Sequence, residues 1–377
     1  MEKRKILMTA YAVNPFKGSE DGTGWNIPLK LAETNVVIVI TRKNNRDEIE
    51  RFYEENPEMG QLKNLSFHYY DLPSWLVFWK KKIGERGYVL YFYLWQLFMP
   101  LFIKRLGVTF DIVHALNFHS DSHPQFLWLH RKPVFWGPIG HHPKVPRQFI
   151  TKHYSKKTLV KDRLYNAIKF SMRTFDPFYL ISKWTASKIF VINSKINDSV
   201  RAKKSKVIVL PAVAGNQIVI NKIQKESFNI ISVGRFTYMK GFDLIIEAFH
   251  QFIMLLSDSE KSLVKMTLVG KGEEKNTIIN LIKKLGLEDN IQIVEWVEKS
   301  EMKHLYTDAS IFAFGSHEGA GMVVPEALSH GLPIVCFDNE GPGELCDNSN
   351  AIKIKVQGYE KSANAFANAY FKLFKDV

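Results

Sequence analysis

Thirteen apolar runs, each about the length of one strand, alternate with amphipathic stretches along this chain, and that alternation restricts it to βα units. The first seven are KILMTAY (5–11), VVIVI (36–40), LSFHYY (65–70), DIVHAL (111–116), PVFWG (133–137), KIFVIN (188–193) and VIVL (207–210). The other six are NIISVG (229–234), KMTLVG (265–270), IQIVEWV (291–297), ASIFAFG (309–315), PIVCFD (333–338) and AIKIKV (351–356). The pattern predicts parallel sheets of the doubly wound α/β class. A turn-bearing connector, PAVAGNQIVINKIQKES at about 211–227, separates the two series. Two domains are expected, 1–212 and 213–377, and 377 residues with 46% hydrophobic content supply a core for each. Ligands of such sheets bind beyond the carboxyl ends of the strands, so the loops there are where chemistry is sought.

The two cysteines, Cys336 and Cys346, lie ten apart in a segment read as buried strand and loop. They offer neither a disulfide framework nor a four-ligand zinc site, and a reducing compartment fits them. The start, MEKRKILMTAY, has a charged opening and a short apolar run without a small-residue cleavage pattern, and Asn14-Pro15 ends the run soon after Tyr11. It reads as a first strand and not as a signal peptide, which points to a cytoplasmic protein, peripheral at most on the inner face of the cell membrane. Charge is uneven: residues 1–220 hold 34 Lys and Arg against 17 Asp and Glu, whereas residues 221–377 hold 17 against 21. Within the basic half, residues 151–206 carry 14 basic and 3 acidic residues, a field that attracts anions. Anionic lipid and a pyrophosphate-linked acceptor are candidate partners, and a solvated basic face with no partner has the same composition. Nucleic acid is set aside because no reading motif accompanies the charge.

Residues 75–103, WLVFWKKKIGERGYVLYFYLWQLFMPLFI, place tryptophan-rich apolar stretches on both sides of Lys80 to Lys82. The uncharged part from Gly87 to Ile103 contains Pro100 and is near or below the length that spans a bilayer. Two readings stay open: a surface-lying anchor on an anionic membrane, and a core helix pair of the first domain.

The most informative stretch is SHEGAGMVVPEALSHGLPIVCFD (316–338). It comes after an apolar run, sets Glu318 and Glu326 either side of seven residues, and turns helical at Pro325. A strand, a glycine-bearing turn and a helix start offer unpaired N–H groups to an anion, and Gly319 and Gly321 let the backbone approach a diphosphate or sugar. Either carboxylate can accept from the diols of a sugar or a ribose. A second constellation, VGRFTYMKGFDLIIEAF (233–249), ends a strand in Gly234-Arg235 and places Lys240-Gly241 before an amphipathic helix. Two cations there suit a leaving diphosphate, Arg as a fork and Lys as a point charge, although either taken singly is by default a solvated loop residue.

Gly234-Arg235 with Lys240-Gly241, then Glu-x7-Glu with Glu-Gly-x-Gly, Pro-Glu-Ala-Leu and Gly-Leu-Pro-Ile-Val, resemble glycosyltransferase family 4 over about 229–356. The resemblance implies the GT-B fold: two Rossmann-like βαβ domains whose parallel sheets face an interdomain cleft, the acceptor bound by 1–212 and the donor by 213–377. It implies a retaining, metal-independent hexosyltransferase with no cofactor. The donor is a nucleotide-diphosphate sugar, UDP favoured over GDP, and the acceptor a lipid-linked or surface-polysaccharide saccharide, as in capsule and exopolysaccharide assembly. By that likeness Arg235 and Lys240 grip the diphosphate, Glu318 contacts the transferred sugar and Glu326 the ribose. Gly319, Ala320, Gly321 and Met322 supply backbone donors, and Trp296 and Val297 lie near the base.

In the first domain KGSEDGTGW (17–25), with Gly18, Gly22 and Gly24, is similar to the family's glycine-rich loop against the donor phosphates. It is neither a Walker loop nor a dinucleotide fingerprint. GPIGHH (137–142) looks like the Gly-Pro-x-Gly turn of a polysaccharide-assembly subgroup, and among the histidines around it His119 and His141 are the acceptor-site candidates. The chain departs from the family at Ala320, where an aromatic residue is frequent, and at Gly137-Pro138, which occupies the neighbourhood of the usual histidine. It shows a single helix pattern at 361–377, where the family's fold normally continues with further helix.

With no enzymic nucleophile in sight, front-face departure fits best: the diphosphate leaves, an oxocarbenium-like centre forms, and the acceptor hydroxyl attacks from the same side. No Asp-x-Asp pair stands at a strand end, and Arg235, Lys240 and the helix start do the work a metal does in other transferases. The rival enzymes of the same fold are an epimerase and a phosphorylase. A rival of another class is a non-catalytic sugar-nucleotide-binding or lipid-binding subunit of an assembly complex.

Overall fold

The computed structural model describes residues 3–58, 63–116, 120–211, 227–295, 297 and 299–376. Each of the thirteen apolar runs overlaps one strand. In the first series these are β1 (Lys5–Ala10), β2 (Val36–Thr41), β3 (Leu65–Tyr69), β4 (Ile112–Leu116), β5 (Val134–Ile139), β6 (Lys188–Val191) and β7 (Val207–Val209). In the second they are β8 (Phe228–Val233), β9 (Val264–Val269), β10 (Ile291–Val294), β11 (Ile311–Phe314), β12 (Ile334–Phe337) and β13 (Ala351–Ile354). Two parallel sheets result, in the orders β3-β2-β1-β4-β5-β6-β7 and β10-β9-β8-β11-β12-β13. Runs such as Val37 to Ile40 and Ile311 to Phe314 are buried on both faces, which is why they read as unbroken apolar stretches. Strand order reverses between β1 and β4 in one sheet and between β8 and β11 in the other, and those switch points open the crevices where doubly wound sheets take ligands.

The helices that alternate with the first sheet's strands are α1 (Ser19–Ala32), α2 (Arg46–Glu55), α3 (Ser74–Ile83), α4 (Glu85–Leu106), α5 (Arg147–Thr151), α6 (Lys156–Phe175), α7 (Pro177–Thr185) and α8 (Ile196–Val200). The second carries α9 (Phe242–Ile253), α10 (Asp258–Lys261), α11 (Lys275–Lys284), α12 (Lys299–Asp308), α13 (Val324–Ser329), α14 (Pro342–Leu345) and α15 (Tyr359–Lys375). The chain divides into one compact unit of residues 1–141 and 167–212 and another of 142–166 and 213–377. Residues 142–166, which the sequence pattern assigns to the first domain, therefore group with the second. The cause is a set of polar and aromatic contacts. The Tyr154 hydroxyl donates to buried Asp243 at 2.8 Å, the Tyr238 hydroxyl donates to Asp162 at 3.1 Å, and Phe149 packs edge-on against the His317 ring at 4.4 Å.

Residues 75–103 form α3 and α4. On α4 the buried positions Tyr91, Phe92, Trp95, Met99 and Ile103 recur at helical spacing and face the core of the first unit, as the core-pair reading expects. Leu90, Phe98 and Leu101 on the opposite side are exposed, as are Trp75, Phe78 and Trp79 on α3. Among the described residues no helix is long and apolar enough to cross a membrane.

Candidate functional site

The second unit brings the two sequence constellations together at its switch point. The loop after β8 carries Gly234, Arg235 and Lys240; the loop after the neighbouring β11 carries Ser316 to Met322. Gly241 is the hinge between them. Its φ of +65° disfavours any side chain, and a Cβ there would lie 2.1 Å from the Gly315 carbonyl oxygen. With backbone on backbone, the His317 N–H donates to the Met239 carbonyl at 2.8 Å and the Ser316 hydroxyl to the same oxygen at 3.3 Å. The Asn339 amide donates to the Ser316 carbonyl at 3.0 Å and braces the loop from the end of β12.

Lys240 and Glu318 then meet directly: Nζ lies 2.6 Å from Oε2, with the two side chains 16% and 8% exposed. The cation assigned to the diphosphate and the carboxylate assigned to the sugar are each other's partner. Arg235 is exposed in the same loop as Lys240. Gly319 and Gly321 are buried, and Ala320 and Met322 half-buried, in the turn after Glu318. Glu326 sits in the first turn of α13, where the Tyr306 hydroxyl donates to it at 3.4 Å. That helix is six residues long, so its start contributes less field than the helix the sequence suggests. Val297, after β10, is half-buried against the cluster around Phe312 and Phe314. Trp296 and His119 lie outside the described residues. Behind the loop, burial pushes the His317 imidazole down to about 4, so it is a neutral packing group stacked on Phe337.

The first unit has a cluster of its own at the carboxyl ends of β4 and β5. His141 donates or accepts at Nδ1, 2.7 Å from Asp121 Oδ2. Asp121 is fully buried and also takes Arg173, the Ser199 hydroxyl at 3.0 Å and, at 3.5 Å, the Lys169 ammonium. Burial alone would raise this carboxyl, but the His141 bond and the Lys169 and Arg173 charges outweigh it and hold it well below the ordinary range. Sequence reasoning misses Asp121, although one signal is there: it is the only acidic residue between Asp111 and Asp162. His114 turns inward instead, 2.7 Å from the Gly137 carbonyl oxygen and pushed down to about 4 by burial.

The glycines of 17–25 are not in a loop. Helix α1 begins at Ser19, so Gly18 is its N-cap and Gly22 and Gly24 lie within its first turns. Glycine is required at position 22 in spite of its poor helix propensity, because a Cβ there would sit 2.6 Å from the Lys17 carbonyl oxygen.

Residues 215–376 match the family model described as Glycosyl transferases group 1. The amylovoran biosynthesis glycosyltransferase AmsD of Erwinia amylovora is 33% identical over 132 residues, covering 34% of this chain and 33% of its own length. The matched stretch spans less than half the length of the curated relatives. Several solved structures match nearly the whole chain, TarM and HepE among them. A mutant of S. aureus TarM, in complex with fondaparinux, alpha-GlcNAc-glycerol and UDP, has a TM-score of 0.63 at 13% identity over 99% of this chain and 93% of its own. Anabaena HepE with UDP and glucose has a TM-score of 0.60 at 16% identity over 99% and 90%. At these identities the likeness is one of fold: the two Rossmann-like units are those of GT-B.

Proposed function

We propose that this chain is a retaining, metal-independent hexosyltransferase. It moves a sugar from a nucleotide-diphosphate donor, a UDP-sugar, to a saccharide acceptor that is lipid-linked or part of a surface polysaccharide. It works without a cofactor, in the cytoplasm, peripheral at most on the inner face of the cell membrane.

The observation that carries this reading is the Lys240–Glu318 contact at the switch point of the second sheet. A donor laid across it sets its diphosphate against Lys240 and Arg235, its sugar against Glu318 and its ribose toward Glu326. As the glycosidic bond breaks, negative charge grows on the leaving diphosphate, and cations fixed in advance stabilise it without reorganising. The match of residues 215–376 to a glycosyltransferase model, the UDP bound by TarM and HepE, and the polysaccharide named for AmsD all support this assignment.

The test is a thermal-shift and calorimetric panel of UDP- and GDP-sugars, run with and without EDTA. A donor at a hundred times its Kd adds about 2.7 kcal/mol of stability. No stabilisation by any nucleotide sugar would sink the reading, and loss of transfer in EDTA would sink its metal-independent part. Donor conversion without acceptor would favour an epimerase, dependence on free phosphate a phosphorylase, and binding without transfer or hydrolysis a non-catalytic subunit.

A further inference from the structure

The switch point of the first sheet lies between β1 and β4, and the chain just past β4 and past β5 carries Asp121 and His141. Gly137 shapes the second of these segments. Its φ is +114°, and a Cβ there would lie 2.2 Å from the Phe190 carbonyl oxygen. Only glycine lets β5 approach β6 this closely while the register shifts between Trp136 and Ile139. Four residues further on, His141 Nδ1 meets Asp121 Oδ2 at 2.7 Å. Burial raises the Asp121 carboxyl, but the His141 bond and the Lys169 and Arg173 charges outweigh it, so the group is an ionised carboxylate with no proton to give. Nδ1 is therefore the donor. In the neutral ring that leaves a lone pair on Nε2.

The acid is fixed from outside the pair. Lys169 and Arg173, one turn apart on α6, and Ser199 on α8 all aim donors at it, and the carboxylate is fully buried. It cannot follow the ring, so the ring takes its place from the acid. His141 is the member that reaches water, with 18% of its side chain exposed against none of Asp121. Among the described residues its Nε2 has no hydrogen-bond partner, and it is not a buried atom. Its neighbours differ. His114 on β4 and His123 in the Asp121 loop are buried and pushed by that burial down to about 4, and His123 Nδ1 is taken up by the Ser120 hydroxyl at 2.7 Å. All the groups of the Asp121 cluster belong to the first unit.

We propose that His141 Nε2 accepts a hydrogen bond from a hydroxyl of a saccharide bound by the first unit, and that Asp121 is the positioning residue that keeps this nitrogen free to accept. The ligand class follows from the lone pair. A phosphate or carboxylate has only acceptors to offer it, whereas a sugar hydroxyl donates. The saccharide rests on the transferase reading, in which the first unit takes the acceptor; the geometry of the pair does not.

The experiment uses the whole chain with isotopically labelled histidine nitrogens, followed by long-range proton–nitrogen NMR at about pH 8, above the ordinary histidine range. His141→Leu, which leaves Arg173, Lys169 and Ser199 on Asp121, assigns the His141 signals. The wild-type ring is expected to carry its proton on Nδ1 and none on Nε2. Methyl α-glucoside, methyl α-galactoside and methyl α-mannoside are then titrated in, with inorganic phosphate as the anionic control. At least one glycoside should shift the Nε2 signal saturably, and phosphate should not. His141→Leu should weaken that glycoside by ~10-fold, the loss of one hydrogen bond. In Asp121→Asn the donors of Arg173 and Ser199 compete for the one amide oxygen, so the Nδ1–H form should fall and the glycoside weaken with it. Ser199→Ala removes a bond to the same carboxylate oxygen without touching the ring, and should keep both tautomer and affinity.

These readouts need no turnover. Failure of every nucleotide sugar to stabilise the protein would defeat the transferase reading and leave the pair testable; nucleotide-sugar binding with no glycoside at Nε2 would defeat the pair alone. The proposal is overturned by a protonated Nε2 in the wild type, by no glycoside that shifts it, or by phosphate shifting it instead. Undiminished binding in His141→Leu also overturns it, as does a Ser199→Ala variant that loses as much as Asp121→Asn, because the cluster would then be a brace of the fold.

Discussion

Although Glu318 and Lys240 are partners, removing them should act in opposite directions on a nucleoside diphosphate. Their contact is 2.6 Å and both side chains are largely out of water. Removing one member of a fully buried pair costs about 3–5 kcal/mol, and the remaining exposure of Lys240 brings the expected loss to about 1–3 kcal/mol for Glu318→Gln or Lys240→Met. The double variant loses less than the two singles together, because both charges go at once, and the cycle should return a coupling of about 1–3 kcal/mol. Binding separates the two residues further. Glu318→Gln keeps the shape of the site and releases the lysine, so UDP without a sugar should bind about 3–10-fold more tightly. Lys240→Met removes the charge proposed to meet the diphosphate, so UDP should bind ~10-fold or more weakly. Denaturant titrations monitored by circular dichroism give the stabilities, and calorimetry with UDP gives the affinities. If Glu318→Gln weakens UDP as much as Lys240→Met does, the carboxylate is a nucleotide contact and not a competitor for the lysine, and the reasoning fails.

Arg235→Ala should lower turnover by at least ~10²-fold, the size of one lost transition-state contact, and near-normal turnover in a transfer assay would remove Arg235 from the machinery. Asp121→Asn should cost about 3–5 kcal/mol in a denaturant titration, because Arg173 and Lys169 would lose the counter-charge they share; a change under about 1 kcal/mol would contradict that. Asp243 acts with the opposite sign. Burial raises its carboxyl to about 6, against the Tyr154 bond and the His153 charge. Between about 4 and about 6 the folded state binds more protons than the unfolded chain, so the stability this group contributes is complete below that window and is lost as pH rises through it. Asp243→Asn should therefore stabilise the protein near pH 7 by about 1–3 kcal/mol and flatten the stability profile between about pH 4 and 6. An unchanged profile in pH-dependent thermal melts would show that Asp243 titrates normally.

How much of the molecule is legible in its sequence depends on how far each signal reaches along the chain. Strands buried on both faces announce themselves locally, so β1 to β13 fall where the apolar runs do. Lys240 and Glu318 can be singled out from their motifs, but their contact cannot, because it depends on Gly241 and Gly315 closing two distant loops together. The glycines of 17–25 mislead for the reverse reason: Gly22 answers to the close Lys17 carbonyl, which leaves no room for a Cβ, and sits inside a helix. Residues 142–166 precede the connector and so read as part of the first domain, and nothing local says that Tyr154 and Asp162 find their partners in the second unit.

The charge of the first half shows the same limit most sharply. Counted along the chain it reads as a basic face. Folded, part of that charge is inside. Asp121 is outnumbered by Arg173 and Lys169, and Asp71 by Arg42 and Lys80, each set beyond the carboxyl ends of the first sheet. Interior carboxylates outnumbered by cations leave a positive interior that water alone compensates poorly.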